Sequence, residues 1–87
     1  MEIKERIRKY LSQSLRHDIS DEDDFFALGL VDSLFAMQLV MFVEKEFEIK
    51  VENDDLDINY FNSINALTSF VQNKLSSQEL RHGHSIG

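Results

Sequence analysis

Residues 33 to 48 limit the folds open to this chain more than any other segment, because they place apolar side chains on two opposite sides of one helix. At about 100° per residue, Phe35, Leu39, Phe42, Val43 and Phe47 share one broad side, with Ala36 and Val40 at its edge. That side needs a core to face. Leu34, Met37 and Met41 fall opposite, interleaved with Gln38, Glu44, Lys45 and Glu48. A Leu and two Met edged with charge are either extra core beneath a loop or an exposed contact surface.

The partners for the first side are further helices. Ile3, Ile7, Tyr10, Leu11 and Leu15 recur at helical spacing with Lys4, Glu5, Arg8 and Lys9 between them, so residues 2 to 15 read as an amphipathic helix. From Arg16 to Asp32 the period dissolves into acids and then Phe25, Phe26, Leu28 and Leu30 around Gly29, which predicts a long loop pinned by its own apolar residues. A polar stretch from Glu48 to Asp57 leads to a short helical turn at Asn59 to Phe61. Ser63 is placed to cap a last helix whose buried face is Ile64, Leu67, Phe70, Val71 and Leu75. Residues 76 to 87 lose the period and are expected to form a flexible tail after a folded unit of residues 1 to 75. No strand-like alternation competes, so the predicted fold is all-α, a small four-helix bundle of three long helices and one short one.

A chain of 87 residues gives one modest core. Without Cys it has no disulfide, no thiolate metal site and no cysteine nucleophile, and the cytosol is the expected compartment. No segment approaches a membrane-spanning length. Sixteen Asp and Glu against nine Lys and Arg give a net charge of -7, which repels nucleic acid and anionic lipid and suits basic partner surfaces. Nothing in the pattern calls for self-association, and a monomer is expected.

Two catalytic or metal-binding readings fail on spacing. Asp18, Asp21, Glu22, Asp23 and Asp24 cluster in a loop but lack the alternating ligands, central Gly and terminal Glu of a calcium loop, and solvated acids account for them better. A hydrolase would need a base for Ser33. His17 is the one His inside the expected fold, His82 and His84 lie in the tail, and Ser33 has no Gly-flanked elbow. No catalytic residues and no metal ligands are assigned.

The string Gly29-Leu30-Val31-Asp32-Ser33-Leu34 puts a serine where a loop enters the two-faced helix. Asp and Ser are favoured helix caps, so the pair alone says little. A helix start also offers unpaired N–H groups and the positive end of a dipole, a field compatible with a phosphodiester on that serine. The longer string decides: Asp24-Phe25-Phe26-Ala27-Leu28-Gly29 followed by Leu30-Val31-Asp32-Ser33-Leu34 resembles the attachment-site signature of acyl and peptidyl carrier proteins. Glu44-Lys45-Glu46-Phe47 and Phe61-Asn62-Ser63-Ile64-Asn65-Ala66-Leu67 resemble the same family's second-helix end and last-helix start, so the resemblance runs from about Ile3 to Leu75.

This resemblance implies a covalent 4′-phosphopantetheine arm on Ser33, transferred from coenzyme A by a separate phosphopantetheinyl transferase with Mg²⁺. The arm's thiol would hold acyl groups as thioesters for loading, modifying and acyl-transferring enzymes. Asp32 would orient the site, and Leu34, Met37, Gln38, Met41 and Glu44 would form the partner surface. Fatty-acid carriers typically have acids early in the second helix, where this chain has Phe35 and Gln38. The run from Val31 to Phe47 is most similar to free-standing carriers of polyketide extender units, the methoxymalonyl and hydroxymalonyl carriers among them. A fatty-acid, aminoacyl or peptidyl carrier remains an alternative, as does a helical interaction module that uses the Leu34, Met37 and Met41 stripe without a cofactor.

Overall fold

The first helix, α1 (Ile3–Leu15), turns Ile7 and Leu11 fully inward, as their spacing of four demands. The computed structural model describes the backbone of residues 2–16 and 18–86, and side chains as far as residue 77. Among the described residues there are three further helices, α2 (Ser33–Phe47), α3 (Ile58–Phe61) and α4 (Ile64–Ile86), plus one 3₁₀ turn, Asn53–Asp55, and no strand. The architecture is therefore the expected all-α bundle. Both α1 and α3 pack on α4, whose Ile64, Leu67, Phe70 and Val71 are buried as its period predicts. Ser63 caps α4 as expected, its Oγ accepting from the Ala66 N–H at 3.0 Å.

The two-faced helix resolves into one buried and one open side. Leu39, Val43 and Phe47 belong to the core, and Phe35, Val40 and Phe42 pack against it from its margin. Phe42 stacks on Tyr10 of α1 with ring centres 3.9 Å apart, and Phe35 lies next in the same row, 6.3 Å from Tyr10. At its end, Glu48 enters the left-handed region at φ 53° and Lys45 supplies a cation to the last turn.

The loop between α1 and α2 is pinned by one ring. Phe25 is fully buried, Ile19 nearly so, and Leu30 is packed against the core. The Phe25 N–H donates to the Asn62 carbonyl at 2.8 Å and the Asn65 N–H to the Asp21 carbonyl at 3.0 Å, tying the loop to the α3–α4 junction. Leu28 departs from expectation: it is 55% exposed. Residues 24 to 29 form a helical turn, with Leu28 N–H donating to the Asp24 carbonyl, so one face of the turn looks outward. Gly29 closes it at φ 73°, a conformation that costs any side-chain-bearing residue about 1–2 kcal/mol.

The acids of this loop have structural work beyond solvation. Asp24 Oδ1 accepts from the Phe26 and Ala27 N–H groups at 3.0 Å each, and Asp23 Oδ2 accepts from the Ser20 N–H at 3.0 Å. Asp21 pairs with Arg8 at 2.7 Å and Lys4 at 3.5 Å on α1. Among the described residues, no group of three or more His, Cys, Asp and Glu side chains could hold a metal ion.

Two other boundaries differ from the sequence reading. The stretch after α2, read only as polar, contains the Asn53–Asp55 turn. The last helix was expected to end at Leu75, yet α4 continues to Ile86. Amphipathic period ends where the core ends, whereas backbone i to i−4 hydrogen bonding can run past the last buried residue without any apolar face. The side chains of residues 78 to 87, those of His82 and His84 among them, lie outside those described, and His17 lies outside the described residues altogether.

Candidate functional site

Ser33 is the first residue of α2 and is exposed. The capping role falls to Asp32 instead, whose extended backbone (φ -123°, ψ -174°) turns its carboxylate so that Oδ1 accepts from the Phe35 N–H at 2.9 Å. The first turn of α2 has no acid of its own, while the Asp32 carboxylate at the cap takes up the Phe35 N–H and offsets part of the positive dipole end. The hydroxyl of Ser33 thus stands at a helix start suited to a phosphodiester.

Beside Ser33 lies an open apolar cleft of about 320 Å³, bounded by Phe26 from the loop, Ala36, Met37 and Val40 from α2, and Leu56, Ile58 and Phe61 around α3. Its polar members are Ser33 and Asp57 at the margin, and Asp57 Oδ1 accepts from the Asn59 N–H at 2.9 Å to cap α3. A cleft with so few polar groups can shelter carbon chain but offers little to a charged group.

On the outer side of α2, Leu34, Met37 and Met41 are 70%, 54% and 60% exposed, and Gln38 is exposed among them. The stripe is therefore open surface and not extra core. Glu44, expected on the same surface, is only partly exposed, and its Oε2 accepts from the Val51 N–H at 2.9 Å. That carboxylate fastens the segment after α2. Phe35, where a fatty-acid carrier would have an acid, lies in the Tyr10–Phe42 aromatic row.

The family model of the phosphopantetheine attachment site matches residues 2–71. The chain belongs to this carrier-protein family. The D-alanyl carrier protein of Leuconostoc mesenteroides is 32% identical over 74 residues, covering 83% of this chain and 95% of that protein. The D-alanyl carrier proteins of Leuconostoc citreum and Streptococcus uberis are 31% and 30% identical over similar spans, with 83% of this chain covered in each case. The prosthetic group of the carrier family is a covalently attached 4′-phosphopantetheine, and the carrier itself is not a catalyst. The geometry fits that group: an exposed hydroxyl, a helix start for the phosphate and an apolar cleft for the carbon chain. The family pattern is one of acyl or aminoacyl carriage in general, and the relatives' names speak of D-alanine, not of polyketide extender units.

The sequence points to Ser33, Asp32 and the outer stripe but does not announce the far wall of the cleft. Leu56, near the end of the stretch read as polar, and Ile58, just after it, flank Asp57, and those two apolar residues are the available signal. Among the described residues, no helix is long and apolar enough to cross a membrane.

Proposed function

We propose that Ser33 Oγ is the attachment point of the phosphopantetheine arm and that the chain presents a small acyl or aminoacyl thioester to partner enzymes in the cytosol. The observation that carries this reading is the division of labour at the start of α2, where Asp32 caps the helix and leaves the exposed Ser33 at its first position. In the transfer, Ser33 Oγ bonds to the phosphorus that joins pantetheine to the nucleotide of coenzyme A. The bond from that phosphorus to 3′,5′-ADP breaks, and the hydroxyl proton passes to the transferase. The arm supplies the thiol that this Cys-free chain lacks. Asp32 orients the helix start. Leu34, Met37, Gln38 and Met41 form the docking stripe, with Glu44 at its edge, and the chain acts as a monomer toward its partners.

Intact-protein mass after incubation with coenzyme A and a broad-specificity transferase tests the assignment. One phosphopantetheine is expected on the wild-type chain and none on Ser33→Ala, with the helical circular dichroism spectrum retained. A mass gain that persists in Ser33→Ala would overturn it.

For the cargo, the relatives favour an aminoacyl group, D-alanine, activated by a ligase and held as a thioester. A second reading, a polyketide extender unit, is supported by the run from Val31 to Phe47 and by the absence of acids at Phe35 and Gln38. Loading the arm-bearing protein with a D-alanine ligase and ATP, with a glyceryl-transferring enzyme, and with a fatty-acid malonyl transacylase separates the cases by mass. D-alanylation alone is expected on the first reading and glyceryl transfer alone on the second. Efficient malonylation would overturn both, and on either reading Gln38→Glu should raise malonyl transfer from a low base by restoring one docking charge.

A further inference from the structure

Leu56 and Ile58 form the far wall of the cleft beside Ser33, yet they are 51% and 53% exposed. Burial alone holds them weakly, so other contacts must set their position. On one side the Val51 N–H donates to Glu44 Oε2 at 2.9 Å, fastening the segment to α2. On the other side the fastening is Lys74 of α4, whose Nζ pairs with Asp55 Oδ2, the residue directly before Leu56. Asp55 is in turn built into the chain it holds: its Oδ2 accepts from the Glu52 N–H at 2.9 Å, and its own N–H donates to the Glu52 carbonyl at 2.9 Å. The Leu56 N–H closes the same turn onto the Asn53 carbonyl at 3.2 Å. Lys74 also lies 5.8 Å from the centre of the Phe70 ring, and Phe70 packs on Tyr60 and on Phe61, which is itself a cleft residue.

We propose that Lys74, outside the cleft, is a positioning residue for it: through Asp55 it holds the segment bearing Leu56 and Ile58 and so sets how far the cleft opens beside Ser33. This inference rests on the reading of the cleft as shelter for carbon chain on the arm. Lys74 touches neither Ser33 nor the docking stripe. Its loss should therefore leave arm attachment unchanged while altering what the cleft shelters.

The test uses the full chain carrying its arm, with Lys74→Met, Asp55→Asn, the double variant and Lys74→Arg. Amide hydrogen exchange across residues 52 to 58 should rise about 5-fold in each of the two single variants and no further in the double, because both remove one shared contact. Lys74→Arg should stay close to wild type. The second readout is the hydroxylamine cleavage rate of a hexanoyl thioester on the arm relative to an acetyl one. Lys74→Met should raise the hexanoyl rate and leave the acetyl rate and the transferase kcat/KM as they were. Exchange that does not change, or changes that add in the double variant, would overturn the proposal, as would faster exchange with no change in a protected hexanoyl thioester. If hexanoyl and acetyl thioesters are cleaved alike already in the wild-type protein, the cleft does not shelter the chain, and the positioning role falls with that reading even where the exchange result shows the fastening itself.

Discussion

The segments before and after α2 both border Ser33, but where they reach the cleft the first hangs on a buried ring and the second, beyond its buried Ile49, on charges. Between α1 and α2, Phe25 is fully buried and its N–H and that of Asn65 are bonded across to the opposite chain segment. After α2, Ile49 is buried in the core, but Leu56 and the first residue of α3, Ile58, are half exposed, and the polar fastenings near them are the Glu44 carboxylate and the Asp55–Lys74 pair. Burial of a large ring is worth several kcal/mol and is little affected by salt, whereas a partly shielded ion pair is worth far less and is screened. Ser33 therefore sits between a fixed border and an adjustable one. With the arm on Ser33, as proposed, both would serve a carrier: the serine presented in one geometry, the cleft able to admit and release what the arm bears.

The strongest way to break this comparison is Phe25→Ala. It should cost about 3–5 kcal/mol out of a total of about 5–15, read as a shift of the urea midpoint. A cost below about 1 kcal/mol would mean that the loop hangs on its acid caps instead. Gly29→Ala comes next. An added Cβ would meet nothing within 4 Å, so only the positive φ is penalised, and a loss of about 1–2 kcal/mol is expected in the same melts. Leu56→Ala and Met41→Ala should each cost less than about 1 kcal/mol because their side chains are 51% and 60% exposed. If Leu56→Ala matched Phe25→Ala, the two borders of Ser33 would not differ as described, and a match by Met41→Ala would mean that the outer stripe of α2 is core.

The smallest effect on global stability is the most local one. The Asp55 carboxyl is held below its ordinary value of 3.8 mainly by the hydrogen bond from Lys74, with partial burial opposing and the Glu52 N–H and the Lys74 charge assisting. A carboxyl lowered in the folded state stabilises fully above its unfolded value, and that contribution fades as pH falls through the lower folded value. Amide exchange corrected for intrinsic rates should therefore loosen at residues 52 to 58 as pH drops below about 3.8, and Asp55→Asn should abolish this dependence in the segment. An unaltered pH profile in Asp55→Asn would assign the acid response to other carboxylates.

Much of this was legible from residue order alone. Core faces of α1, α2 and α4 follow from spacing, because a helix in water must bury one stripe whatever it packs against. Phe35, Leu39, Val43 and Phe47 fall inward for that reason, and Ser63 and Asp32 cap helices because capping is local chemistry between residues three apart. The stretch from Glu48 to Asp57 resisted the same treatment. Its apolar residues Ile49, Val51 and Leu56 obey no helical period, and two of its fastenings run outside it, from the Val51 N–H to Glu44 and from Asp55 to Lys74 across the fold.

The sequence by itself determined an all-helical chain, a serine at the start of a helix with apolar residues on both sides, and the attachment signature around that serine. Each of these depends on neighbours within a turn or two, where covalent geometry fixes who meets whom. Only the tertiary structure decided that the outer stripe of α2 is open surface, that Glu44 fastens a loop, and that Leu56, Ile58 and Phe61 close a cleft beside Ser33. Exposure and cleft formation depend on which elements arrive from elsewhere in the chain, and a helical period specifies that a face needs cover without specifying what will cover it.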